Sequence, residues 1–188
     1  VSIAMHETTN DQNIAIWRGT RVRKTHSSKR NAFQSTNEGP LGIVKKNIEW
    51  KQRYKSTKDE TTIESGFEDN IGLVWAHPGL NTGDWENITS SKKGIVIAGT
   101  GLGHINSELF KSIEKTAKDM PVAMATQCLS GSTNLNVYRN GRELVSKGII
   151  ETYDTLPETA LVKMMWLSKH RPNKINELMG INLIGEIS

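Results

Sequence analysis

"GIVIAGTGLGHIN", residues 94–106, opens with an apolar run, passes through glycines at 99, 101 and 103, and ends on polar residues. An apolar run of this length, bounded by turn residues, predicts a strand followed by a tight turn and the start of a helix. The same reading extends in both directions along the chain. Further runs predict strands at 1–5, 13–17, 41–44, 71–76 and 122–126. Helical spacing follows in "SELFKSIEKTAKD" (107–119), where Leu109, Phe110, Ile113 and Ala117 share one face and Asn106 or Ser107 can cap the start. "GRELVSKG" (141–148) and "PETALVKMMWLSKH" (157–170) fit helices too, the second with Pro157 in its first turn. Met164, Met165 and Trp166 are expected to fill core space along that helix. Strands that alternate with helices over residues 70–170 predict a parallel α/β sheet.

The composition allows a proper core. The chain has 188 residues, 36% of them hydrophobic and 23% charged, with a net charge of +4. Residues 1–60 hold twelve Lys or Arg against six Asp or Glu, and the remainder twelve against fourteen, so the basic excess belongs to the first third. Such an excess can attract phosphates or anionic partners without saying anything about the fold. A single cysteine, Cys128, excludes an internal disulfide and any multi-cysteine metal site, and fits a cytoplasmic protein. No apolar run approaches the ~20 residues that a membrane-spanning helix needs. The chain starts at Val1 with "VSIAM" already strand-like, so a C-terminal piece of a longer protein is expected. The charged stretch "QRYKSTKDETTIESGFEDN" predicts a linker at 53–69 between one domain at 1–52 and another at 70–188.

Two places invite chemistry. The "GTGLGH" loop lies past the carboxyl end of a predicted parallel strand, where open α/β sheets bind ligands. It is no dinucleotide fingerprint, since His104 stands where G-x-G-x-x-G has its last glycine. Its glycines could equally serve a tight turn without a ligand, and His104 could be simply packed or solvated. Gln127, Asn134, Asn136 and Tyr138 could bind a ligand or close a subunit interface, but they read first as ordinary loop residues, and the "NIT" at 87–89 carries little meaning in a cytoplasmic protein. The other place is "RGTRVRKTHSSKRNAF" (18–33), with six cations in its first thirteen positions. It fits a phosphate-binding patch, a solvated charged face, or the setting of one working lysine, and composition does not choose among the three.

The order of longer motifs goes further. "VRKTHSSKRNAFQSTNEGPLG" resembles the second half of the N-terminal domain of the bacterial-type L-asparaginase family. "GIVIAGTGLGH" and "TQCLSGSTNLNVYRNGRELVSKGIIETYDTLPETALVKMMW" resemble its C-terminal domain. Within the family, the basic stretch is most similar to the D subunits of archaeal glutamyl-tRNA(Gln) amidotransferases. The resemblance implies an asparaginase-like α/β fold, the end of an N-terminal α/β domain followed by a smaller C-terminal domain with a parallel sheet flanked by helices. It implies amide hydrolysis by a threonine nucleophile helped by a second threonine, an aspartate and a lysine. By motif position the lysine is Lys24. The glycine-rich threonine motif and T-D-T do not occur in these 188 residues.

For substrate binding the resemblance points to Gly101, Gly103 and His104, and for tRNA or partner contact to Lys29 and Arg30. It implies no cofactor or metal in this chain, with ATP and Mg belonging to the reaction of a partner protein. The implied partners are the E subunit of the amidotransferase, tRNA(Gln) charged with Glu, and a second copy of the chain. The function expected is a glutaminase that releases ammonia for conversion of Glu-tRNA(Gln) to Gln-tRNA(Gln). A free-standing cytoplasmic L-asparaginase and a non-catalytic basic nucleic-acid-binding module are the alternatives.

Overall fold

A computed structural model describes residues 1–35, 37–52 and 62–188. The chain divides into two units, Val1–Ile63 with Ser188, and Glu64–Ile187. Most of the expected 53–69 linker, residues 53–61, lies outside the described residues. The rest of it, from Glu64 on, belongs to the second unit.

The first unit is built from strands β1 (Ser2–His6), β2 (Ile14–Arg18), β3 (Val22–Lys24), β4 (Phe33–Ser35), β5 (Gly42–Val44) and β6 (Ile48–Trp50). Four of them form an antiparallel sheet in the order β1-β2-β5-β6, and β3 pairs with β4 as a separate hairpin. The period of two is visible on β2, where Ala15 and Trp17 are buried while Ile14 and Ile16 are only half-buried.

In the second unit, β7 (Ile71–Trp75), β8 (Gly94–Gly99), β9 (Val122–Thr126) and the short β10 (Ile150–Glu151) form a parallel sheet in the order β10-β9-β8-β7. Its helices are α1 (Thr82–Thr89), α2 (Phe110–Asp119), α3 (Arg139–Ser146), α4 (Pro157–His170) and α5 (Ile175–Leu178). Alternate strand residues serve opposite faces. Ile95, Ile97, Val122 and Met124 pack with Trp85 of α1, Ile113 of α2 and Leu144 of α3. Val96, Ala123 and Ala125 pack with Ala160, Met164 and Leu167 of α4 and with Ile175 of α5. Because the strands follow one another in sequence order, the three crossovers through α1, α2 and α3 share one hand and one face. The long α4 then covers the other face.

Local sequence explains these elements. Asn81 caps α1 by accepting from the Asp84 N–H at 3.1 Å, while the Asp84 carboxylate accepts from the Asn81 N–H at 3.3 Å. Asn106 accepts from Glu108 N–H at 3.1 Å to open the 3-10 turn that leads into α2. Gly141 sits inside α3 because a Cβ there would lie 2.2 Å from the carbonyl oxygen of Leu135.

Residues 64–68 are fastened to α4. Glu68 N–H donates to Met165 O at 3.0 Å, and Arg171, just past the helix, reaches the Glu64 carboxylate at 2.7 Å. The segment after α5 returns to α4 through a buried ion pair, Lys163 Nζ to Glu186 Oε1 at 2.7 Å, with Lys163 also donating to Met179 O at 3.0 Å. Burial lowers the Lys163 pKa, against the pull of Glu186. Burial works to raise Glu186, but the Lys163 ammonium and the Leu183 and Ile184 N–H groups outweigh it and hold the carboxyl below its usual value. Among the described residues, no helix is long and apolar enough to cross a membrane.

Candidate active site

Lys24 ends β3, opposite Phe33 of β4. It is exposed, and its ammonium lies 5.9 Å from the centre of the Phe33 ring, a weak cation–π contact. The hairpin is closed just beyond this pair by Thr25, whose N–H and hydroxyl both donate to Ala32 O, at 2.7 and 3.0 Å. Lys29 is exposed on the loop that follows. Arg30 is exposed too, but its guanidinium pairs with Asp11, which also lies 3.1 Å from His6 Nε2. One cation of the basic stretch is not on the surface at all. Arg21 is 1% exposed, and with Arg18 it faces the Glu38 carboxylate, at 3.4 and 3.0 Å respectively. Sequence reasoning missed this pairing because Glu38 comes seventeen positions after Arg21, with no helical or strand spacing to link them.

Gly101, Gly103 and His104 belong to the second unit, at the carboxyl edge of its parallel sheet. The loop is a tight turn in which Thr100 N–H donates to His104 O and His104 N–H to Thr100 O, both at 2.8 Å. Gly103 has φ of 102°, and a Cβ on it would lie 2.8 Å from Leu135 and 3.0 Å from Met124. Packing beneath the loop therefore accounts for this glycine. Gly101, with φ of 52°, faces open space instead.

The loop is tied to the one after β9. Thr126 donates its hydroxyl proton to Gly101 O at 2.6 Å, and Asn134 N–H donates to Leu102 O at 3.0 Å. The Gln127 amide donates to Ala76 O at 2.6 Å and to Ala98 O at 2.8 Å, joining the ends of β7 and β8. His104 is half-buried, with its ring 5.3 Å from that of the exposed Tyr138. The result is a hydrogen-bonded rim that carries Gly101, His104 and Tyr138. Among the described residues, no three His, Cys, Asp or Glu side chains gather in a way that could hold a metal ion.

A parallel sheet of this order, preceded by an antiparallel sheet and a basic hairpin, matches known proteins over its whole length. The family described as "Glutaminase/Asparaginase C-terminal domain" matches residues 70–179, and "Asparaginase, N-terminal" matches residues 1–56. The chain belongs to the glutaminase/asparaginase family. Within it, the chain is 42% identical to the D subunit of glutamyl-tRNA(Gln) amidotransferase from Saccharolobus solfataricus and 39% identical to that from Thermoplasma acidophilum. Both matches cover 100% of the chain, which spans only 44% and 46% of those relatives' lengths. Among solved structures, the thermostable L-asparaginase from Thermococcus kodakarensis matches with a TM-score of 0.88 at 32% identity, covering 93% of this chain and 55% of that one. L-asparaginase I from Vibrio cholerae matches with a TM-score of 0.83 at 27% identity, with the same coverage.

Proposed function

We propose that residues 1–188 form the C-terminal part of a glutaminase that supplies ammonia to a tRNA-dependent amidotransferase. The observation that carries this reading is the 39–42% identity to D subunits along the entire chain. In the reaction, a threonine oxygen attacks the side-chain carboxamide carbon of glutamine, ammonia leaves as the acyl-enzyme ester forms, and water then releases glutamate. The attacking threonine, its helper threonine and the aspartate lie outside these 188 residues. Lys24 is the contribution of this chain, either as a member of the proton relay or as the cation that keeps the aspartate ionised. An amine accepts a proton near neutral pH only once it has lost most of its water. Lys24 is exposed here, so the rest of the catalytic domain has to cover it. Gly101, Gly103 and His104 help to bind the amide substrate, while Lys29 and Arg30 face tRNA or the E subunit.

The two solved structures named above are L-asparaginases, which favours a second reading, a free-standing asparaginase. Glutamine and asparagine differ by one methylene, which a pocket typically separates by only ~1–3 kcal/mol. The deciding experiment measures ammonia release from each amide by the full-length protein, then Gln-tRNA(Gln) formation when the E subunit, ATP and Glu-tRNA(Gln) are added. Asparagine hydrolysis with no transfer to tRNA would favour the second reading. Absence of any amidase activity, together with salt-sensitive RNA binding, would leave the basic nucleic-acid-binding module.

A further inference from the structure

Immediately after Lys24 and Thr25, the chain turns around one side chain. His26 Nδ1 accepts the N–H of Ser28 and the N–H of Lys29, both at 3.1 Å. Asn and Asp use their δ oxygens in this manner in turns, reading backbone N–H groups a few residues ahead. Here an imidazole takes that place, with its own proton on Nε2. The other end of the loop is held by Thr25, through its two bonds to the carbonyl of the buried Ala32. The loop between Thr25 and Ala32 is thus fixed at its closure and at its first bend. The next cross-strand pair along the hairpin is Lys24 with Phe33.

From this we propose that His26 is a positioning residue for Lys24, fixing the turn that holds the lysine over Phe33 and points its amine. The inference rests on the reading of Lys24 as the lysine of the amidase centre. Because Lys24 is exposed, the hairpin and the Phe33 ring set its direction. Without the Nδ1 acceptor, the Ser28 and Lys29 N–H groups turn to water and the loop widens. The Thr25–Ala32 closure then becomes a fraying end, one residue from the lysine.

The test compares His26→Leu, His26→Asn and Lys24→Ala in the full-length protein, with His26→Ala as a second acceptor-free variant should the leucine variant fail to fold. His26→Leu is expected to lower kcat for glutamine hydrolysis by ~10–100-fold, the scale of a small misplacement of a reacting group. KM should stay within about twofold, because the lost interaction matters in the transition state. His26→Asn should restore kcat to within about threefold of the parent, since its Oδ1 replaces Nδ1 in the turn. Hydrogen exchange at Ser28 and Lys29 should be slowed in the parent and in His26→Asn, and fast in His26→Leu. Adding His26→Leu to Lys24→Ala should cause no further loss.

Parental turnover by His26→Leu beside an inactive Lys24→Ala would overturn the positioning role and leave the lysine reading standing. The same holds if His26→Asn keeps both amides protected yet fails to rescue turnover. Parental turnover by Lys24→Ala would instead overturn the reading on which the proposal rests.

Discussion

At the scale of single residues, the basic stretch separates into distinct roles. Lys24 is the lysine displayed at the end of a hairpin strand, Arg21 is buried against Glu38, and Arg30 is engaged by Asp11. Replacing Lys24 with Ala in the full-length protein should lower glutamine hydrolysis by at least ~10²-fold, the usual scale for losing an acid–base group. Lys24→Arg should be nearly as weak, because a guanidinium stays protonated. Steady-state ammonia release, with circular dichroism to verify folding, checks both variants, and near-parental rates would remove Lys24 from the chemistry. Lys29 and Arg30 should differ from each other. A phosphate must displace Asp11 to reach Arg30, so Lys29→Ser should flatten the salt dependence of tRNA binding by about one unit of slope, and Arg30→Ser by less. A salt titration of complex formation reads this directly, and unchanged slopes for both variants would reduce the two residues to solvated charge. None of these distinctions is visible in the composition of the stretch. Lys24 is reached only through motif resemblance, and the ion pairs of Arg21 and Arg30 depend on residues distant in sequence.

Among the secondary-structure elements, legibility follows the strength of the local signal. β8 and β9 are apolar at almost every position and fully buried, so their runs announce them. α4 follows its expected bounds, from Pro157 to His170. α1 escapes the reading because only Trp85 and Thr89 of its eight residues are buried, although the Asn81–Asp84 capping box is a signal that could have found it. β3, β4 and β6 are three residues long with mostly half-buried or exposed side chains, and give no periodic signal. The buried Lys163–Glu186 pair is equally silent, and it makes α4 sensitive to charge. Replacing Glu186 alone with Gln should cost on the order of 3–5 kcal/mol, because it leaves a buried ammonium without its counter-charge. Replacing both partners with apolar residues should cost much less. Since the folded-state pKa of Glu186 is lowered, its stabilisation is present above the ordinary carboxylate value near ~4.3 and is lost as pH falls through the lower folded value. Melting temperatures from pH 7 downward should show this acid loss in the parent and a smaller one in Glu186→Gln. Gly141→Ala should be destabilising by ~1–3 kcal/mol despite the better helix propensity of Ala, because the added methyl meets the Leu135 carbonyl. Urea unfolding of that variant measures the balance, and a stabilised protein would contradict the close packing of α3.

For the molecule as a whole, the alternation of strands and helices after residue 70 is enough to read the parallel sheet. The strand order is not legible, because it is decided by which face each crossover helix can cover. The second unit holds both of its core clusters within Glu64–Ile187. Expressed alone, that segment should fold and melt in a single cooperative transition by calorimetry. A fragment without a transition would mean that its core draws on the first unit. The uniform strand order also bears on synthesis. As the polypeptide leaves the ribosome, each strand from β8 to β10 finds its neighbour already made, so the sheet can grow by addition at one edge. The exception is the face of Val96, Ala123 and Ala125, whose cover is α4. A nascent chain paused between β10 and α4 therefore carries a finished sheet with one bare apolar side, a surface of the kind that chaperones and proteases engage.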